Sequence, residues 1–202
     1  MTYSKLDDEL TAKFGELWQE AMEIWDEQQN EPAFEGYVCA DYLAVGQQLA
    51  SLRGKAVTFL EWGSGLGVVT IMASHMGFEA YGIEAERGLI EYSKSLTEKY
   101  GAEADYPAKF AQGSFIPDAF KWNPADGEEL SRTIIDMPAA YDALDMELRD
   151  FDFVYAYPWP DEHTLFESIL RQFARADVLW LSYDAREGTR LASRHVQDFE
   201  EM

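Results

Sequence analysis

The chain has 202 residues, of which 47% are apolar, with one cysteine and a formal net charge of −22. This is enough for one globular domain with a sizeable core, and too apolar for a disordered chain; no run of about 18 apolar residues offers a membrane span, and Cys39 alone cannot make an internal disulfide. The carboxylate surplus argues against a nucleic-acid backbone as the main partner, because phosphates need a basic face; it suits a basic protein or a small cation, or is simply a solvated acidic surface.

Residues 1–9 are polar and acidic, unlike a secretory leader; with the lone cysteine, read as a small core residue, they set a reducing, cytoplasmic expectation. Leu6 to Gln28 reads as an amphipathic helix, with Leu6, Leu10, Phe14, Leu17, Met22 and Trp25 near helical spacing, ending before Pro32. A second helix is predicted over Tyr37 to Leu52. These helices make residues 1–55 an N-terminal helical cap on a single unit spanning 56–202.

Beyond residue 55 the period changes. Short apolar strands are predicted at Ala56–Trp62, Glu79–Glu84, Ala108–Phe115, Phe151–Tyr157 and Val178–Tyr183. Helices are predicted at Gly67–Met76, Arg87–Tyr100 and Glu162–Ala174. Strands alternating with helices give an α/β fold with a parallel sheet. The connection 116–150 exceeds the usual length; it is predicted to hold a helix near Ala139–Leu148, in either a binding lid or a plain surface excursion. After the fifth strand only 184–202 remain, predicted as a short helix or an abbreviated edge strand.

Chemistry concentrates where the first strand ends. Glu61-Trp62-Gly63-Ser64-Gly65-Leu66-Gly67 places an acid and three alternate glycines between a strand and a helix. Glycines in such a turn let backbone approach a ligand closely, and open α/β sheets bind ligands beyond the carboxyl ends of their strands. A dinucleotide turn wants a glycine at position 68, where Val68 stands, in place of Gly67. Glu84 ends the next strand roughly 20 residues further on, where a carboxylate accepts ribose hydroxyls.

The pattern E-x-G-x-G-x-G followed by Glu84 resembles the class I S-adenosylmethionine-dependent methyltransferases, over about Thr58 to Tyr183. The resemblance implies a Rossmann-like three-layer αβα sandwich with a mostly parallel sheet in the order 3-2-1-4-5, here with a shortened C-terminus. It implies S-adenosyl-L-methionine as cofactor. The turn residues Glu61, Gly63, Ser64, Gly65 and Gly67 would hold its methionine part, Glu84 the ribose, and Ala85, Gly113, Ser114 and Phe115 the adenine. Ser114 stands where the family often has an acid, and core packing is the competing reading of Phe115. Tyr155 closes the cofactor side of the fourth strand.

Tyr155-Ala156-Tyr157-Pro158-Trp159-Pro160 lies at the family's active-site edge but lacks the Asn or Asp that some N-methyltransferases carry there. Tyr157 and Trp159 form an aromatic wall for a cationic or planar acceptor, or else plug the end of the sheet. Phe34, Gly36 and Tyr37 are candidate contacts from the cap. Asp161 and Glu162 suit the start of the following helix. His75, His163 and His195 have no metal-ligand spacing, so no metal is expected. His163 is the candidate general base; methyl transfer from a sulfonium does not demand one. The acceptor is left open, with a small molecule or basic protein favoured over nucleic acid. The rivals are a non-catalytic binding module and a nicotinamide-dependent oxidoreductase.

Overall fold

Five short strands, Thr58–Trp62 (β1), Glu79–Glu84 (β2), Lys109–Gln112 (β3), Phe153–Ala156 (β4) and Leu179–Asp184 (β5), pair in parallel. Two more, Gly188–His195 (β6) and Asp198–Glu201 (β7), add antiparallel, giving the order β3-β2-β1-β4-β5-β6-β7. The computed structural model describes residues 6, 8–121, 133–134, 137–160, 162–195 and 198–201. Asp161 and most of the loop within 116–150 therefore lie outside the described residues. The described helices are Asp8–Gln28 (α1), Tyr42–Leu52 (α2), Val68–His75 (α3), Arg87–Tyr100 (α4), Tyr141–Leu144 (α5) and His163–Phe173 (α6). None is long and apolar enough to cross a membrane.

Alternation along the strands builds the layers. Phe59, Phe153, Tyr155 and Leu181 face a core shared with α1 to α4. Leu60, Trp62, Val154, Ala156 and Trp180 face the opposite core, closed by α5 and α6. The central strands are buried on both faces, which is why they read as apolar runs. Phe14, Leu17, Val45 and Leu49 of the two N-terminal helices belong to the same core as the sheet residues Phe59 and Phe153, so the helical cap is continuous with the sheet's packing.

Three expectations change. The second helix starts at Tyr42, five residues late, because the Asp41 carboxylate accepts the Ala44 N–H at 3.0 Å and caps it there; residues 37–41 before it have no regular secondary structure. The tail is not reduced to one edge element. It fits two strands because β6 returns directly: Asp184 Oδ1 accepts the N–H groups of Arg186 and Glu187 at 2.7 and 2.9 Å, and Gly188 takes φ +82°, so no crossover helix is needed. The helix expected at 139–148 is one turn, Tyr141–Leu144, followed by a 3₁₀ turn at Leu148–Asp150.

Candidate functional site

At the carboxyl ends of β1 and β2 the backbone is stitched into a narrow turn. Ser64 N–H donates to the Ile83 carbonyl at 3.0 Å, and Gly67 N–H donates to the Ser64 carbonyl at 2.7 Å. Gly65 sits at φ +53°, and a Cβ there would overlap the ring of Tyr37, so glycine is required both by the left-handed backbone and by the close approach.

Two buried carboxylates flank this turn. Glu84 Oε2 accepts the Gly65 N–H at 2.8 Å, and Oε1 accepts the Glu86 N–H at 2.9 Å. The Ala85 N–H acts on the carboxylate as well, which leaves a lone-pair direction for another donor. Burial raises the Glu84 carboxyl, against the pull of these backbone bonds. Glu61 reaches the start of α3, where Oε2 accepts the Thr70 N–H at 2.9 Å and its hydroxyl at 2.5 Å. Burial pushes Glu61 up to about 8, with the Glu84 charge adding to it and Thr70 opposing.

A cavity of about 30 Å³ opens beside Glu61, lined by Tyr37, Tyr42, Glu61, Ser64, Tyr155 and Tyr157 among others. Two of its lining hydroxyls, Ser64 Oγ and Tyr155 Oη, are buried without a hydrogen-bond partner among the described residues. An unpartnered buried hydroxyl costs about 1–3 kcal/mol, so both are open to a ligand. Tyr155 lies opposite Glu61 in the β1–β4 register, and burial followed by the Glu61 charge raises its hydroxyl well above the usual range. The outer wall is the segment before α2 with the first residue of that helix: Tyr37 and Tyr42 share a 3.1 Å hydroxyl–hydroxyl bond, and Phe34 packs edge-on against Tyr37 and Tyr92.

The structure thus gathers Tyr37, Glu61, Gly63, Ser64, Tyr155 and Tyr157 around one cleft; Gly65 and Glu84 meet each other in the turn, and Gly67 lies against Phe110 and Ser93. Ala85 follows Glu84, and its carbonyl accepts Gln112 Nε2 at 3.2 Å. The adenine-side expectations fare differently. Ser114 Oγ is spent within the protein, accepting the Ile116 N–H at 3.0 Å and donating to the Ile134 carbonyl at 3.3 Å. Phe115 stacks on Trp62 at 4.9 Å and 17°, in the core on the far face of β1. Gly113 is glycine because a Cβ would meet the Pro138 carbonyl oxygen at 2.9 Å. These residues hold the connection after β3 onto the sheet. Glu162 also does more than start a helix: its carboxylate accepts the Thr133 N–H and hydroxyl at 3.2 and 2.6 Å.

Trp159 and His163 lie on the rim after β4, both partly exposed. Sequence reasoning missed Tyr42, whose hydroxyl meets Tyr37, and the end of β5, where Tyr183 meets Tyr157 ring to ring. The only signal for Tyr183 was its place at a strand's carboxyl end. Among the described residues no group of three or more His, Cys, Asp or Glu is placed to hold a metal ion.

No protein-family model and no curated protein matches the chain. Its fold is similar to that of an RNA methyltransferase of Salinibacter ruber solved with S-adenosyl-L-homocysteine: 16% identity, TM-score 0.52, covering 80% of this chain and 95% of that one. It is similar as well to an S-adenosyl-L-homocysteine-bound methyltransferase of Podospora anserina, at 14% identity and TM-score 0.50, covering 90% of this chain and 64% of that one. The chain therefore has the class I methyltransferase fold, and its glycine turn stands at the end of β1 in that fold.

Proposed function

We propose that the protein is an S-adenosylmethionine-dependent methyltransferase. The observation that carries this reading is the pair of buried carboxylates, Glu61 and Glu84, on either side of a glycine turn, next to two unpartnered hydroxyls. That donor set fits this cofactor, which has an ammonium and a ribose diol but no phosphate. Glu84 has a lone pair left for the diol, Glu61 is an acceptor for the ammonium, and Ser64 and Tyr155 offer hydroxyls to the carboxylate or ammonium of the amino-acid tail. When bound, the cofactor supplies a methyl group already made electrophilic by its sulfonium.

What remains for the chain is positioning and the exclusion of water. The cavity holds little more than a water molecule. The amino-acid tail is larger, so it enters by displacing the outer wall at residues 35–41, and Tyr37 is the residue that must leave Gly65. Once the tail is seated, the same wall closes over it. The acceptor enters from the rim formed by Tyr157 and Trp159. With a net charge of −22, a small molecule or a basic protein is a better acceptor than a nucleic acid. A second reading, cofactor binding without transfer, draws support from Ser114, whose hydroxyl is already spent inside the protein.

Calorimetry tests the site. S-adenosyl-L-homocysteine is expected to bind the wild-type protein, and Gly65→Val and Glu84→Ala to weaken it tenfold or more while each variant still melts cooperatively. A folded wild-type protein that binds neither this ligand nor S-adenosylmethionine overturns the proposal. Label from methyl-labelled S-adenosylmethionine, followed into the small-molecule, protein and RNA fractions of a cell extract, separates transfer from mere binding.

A further inference from the structure

The rim of the cleft holds a feature that methyl-donor binding does not use. Ala156 lies opposite Ser182 in the parallel β4–β5 pair, so the chain leaving β4 passes beside Tyr183 and Asp184. The rings of Tyr157 and Tyr183 meet at 4.8 Å between centroids and 84° between planes. Perpendicular rings make an inside corner with π surface on both walls. Both are half-buried, and Tyr157 also lines the cavity beside Glu61 and Gly63, so this corner adjoins the place where the methyl would be delivered.

Asp184, the residue after Tyr183 at the end of β5, brings a carboxylate within electrostatic reach of the corner. The charge of Asp184 acts on the Tyr157 hydroxyl. Its Oδ1 is fixed by the backbone N–H groups of Arg186 and Glu187, which hold its carboxyl below the usual range and keep it anionic. Its other oxygen takes no hydrogen bond from the described residues. His163 at the start of α6 and Arg186 in the β5–β6 turn are the neighbouring basic groups that act on it.

We infer that Tyr157, Tyr183 and Asp184 form a subsite for an organic cation, a quaternary or protonated amine carried by the methyl acceptor. Aromatic faces attract a cation through their quadrupole, and a fixed, anionic carboxylate sets its position and repels anionic acceptors. The wider field agrees in sign, since a chain of net charge −22 draws cations towards its clefts. The inference rests on reading the cleft as a methyl-transfer site.

The probe pair is choline and its uncharged carbon isostere, 3,3-dimethylbutan-1-ol, titrated by ligand-observed NMR against the intact protein with and without saturating S-adenosyl-L-homocysteine. Choline is expected to bind at least about fivefold more tightly than the isostere, and Tyr157→Leu and Asp184→Asn each to cut that preference about threefold. In Asp184→Asn the side-chain amide oxygen can still accept both turn N–H groups, so this variant keeps the fold, and affinity for S-adenosyl-L-homocysteine is expected to stay within twofold of wild type. Equal binding of choline and isostere, or a preference that survives both variants, overturns the subsite. Failure of S-adenosyl-L-homocysteine to bind would instead overturn the methyl-transfer reading, and the titration without it still reports on the corner.

Discussion

Glu61 is a carboxyl with hydrogen bonds but no cation acting on it among the described residues. Thr70 gives it two donors, and the groups around it are otherwise Glu84 and the phenols of Tyr37 and Tyr155. Burial outweighs the hydrogen bonds, and its carboxyl rises from 4.5 to about 8. The folded state therefore keeps a proton that the unfolded chain releases above about pH 4.5. Between pH 4.5 and 8 the unfolded state binds fewer protons at this site, so stability falls as pH rises through that window. Urea denaturation at pH 5 and pH 8 is expected to show a smaller loss for Glu61→Gln than for wild type; an equal loss would mean Glu61 is ionised in the fold. The same carboxyl couples to the proposed ligand. An ammonium beside it favours the ionised form, so binding S-adenosyl-L-homocysteine near pH 6.5 should release a proton. Calorimetry in phosphate and in Tris would read that release as a buffer-dependent enthalpy that shrinks in Glu61→Gln.

The sequence made Glu61 and Glu84 legible because strand, turn and glycine spacing leave few places for them to point. For Phe115 it left cofactor contact and core packing as two readings, and for Ser114 it did not reveal that the hydroxyl is spent inside the protein, because the partners Trp62 and Ile134 are distant in sequence. Tyr183 and Asp184 were equally hidden: a polar residue closing an apolar strand looks like any turn until the neighbouring strand's exit is known.

At the scale of elements, five parallel strands and their helices could be read from period alone, and the errors gathered at ends. Helix α2 begins late because a single capping carboxylate decides such a boundary. The β6–β7 hairpin was missed because it connects without a helix, so length was a poor guide to strand number. Asp152 helps hold the amino ends of the central strands together. The Asp152 carboxylate accepts the N–H groups of Val57 and Thr58 at 2.8 and 3.1 Å and pairs with Arg175. It thereby ties the start of β1 to β4 and to the segment entering β5. Hydrogen bonds to a charged group are each worth about 1.5–3 kcal/mol, and Asp152 is only partly shielded from water, so Asp152→Ala should lower stability by about 2 kcal/mol in urea denaturation. Because the clamp lies at the amino ends of the strands, affinity for S-adenosyl-L-homocysteine should hardly move. A variant that loses binding and keeps its stability would show that the two ends of the sheet are coupled.

Over the whole molecule, charge is the dominant long-range term. The chain has 38 acidic residues against 16 basic ones, so the compact state concentrates like charge and repels itself. Added salt has two opposed effects. It weakens ion pairs, but pairs such as Arg87–Glu91 and Lys13–Glu103 have at least one strongly exposed partner and are worth about 0–1 kcal/mol each, while the more shielded pairs of Asp152 with Arg175 and of Glu167 with Arg171 and Arg190 are screened less. It also screens the repulsion, which acts over many charges at once, as the screening length falls from about 20–30 Å near 0.01–0.02 M salt to below 10 Å above 0.1 M. The second effect is the larger here. Raising sodium chloride from about 20 to about 200 mM should therefore raise Tm, by about 2–4 °C for each kcal/mol recovered in a chain of this size. Potassium chloride should match it, since screening is indifferent to which monovalent cation does it; a rise seen with only one cation would point to a specific bound ion. A fall in Tm would mean that ion pairs outweigh net repulsion, and the acidic surface would then be part of what holds the fold together.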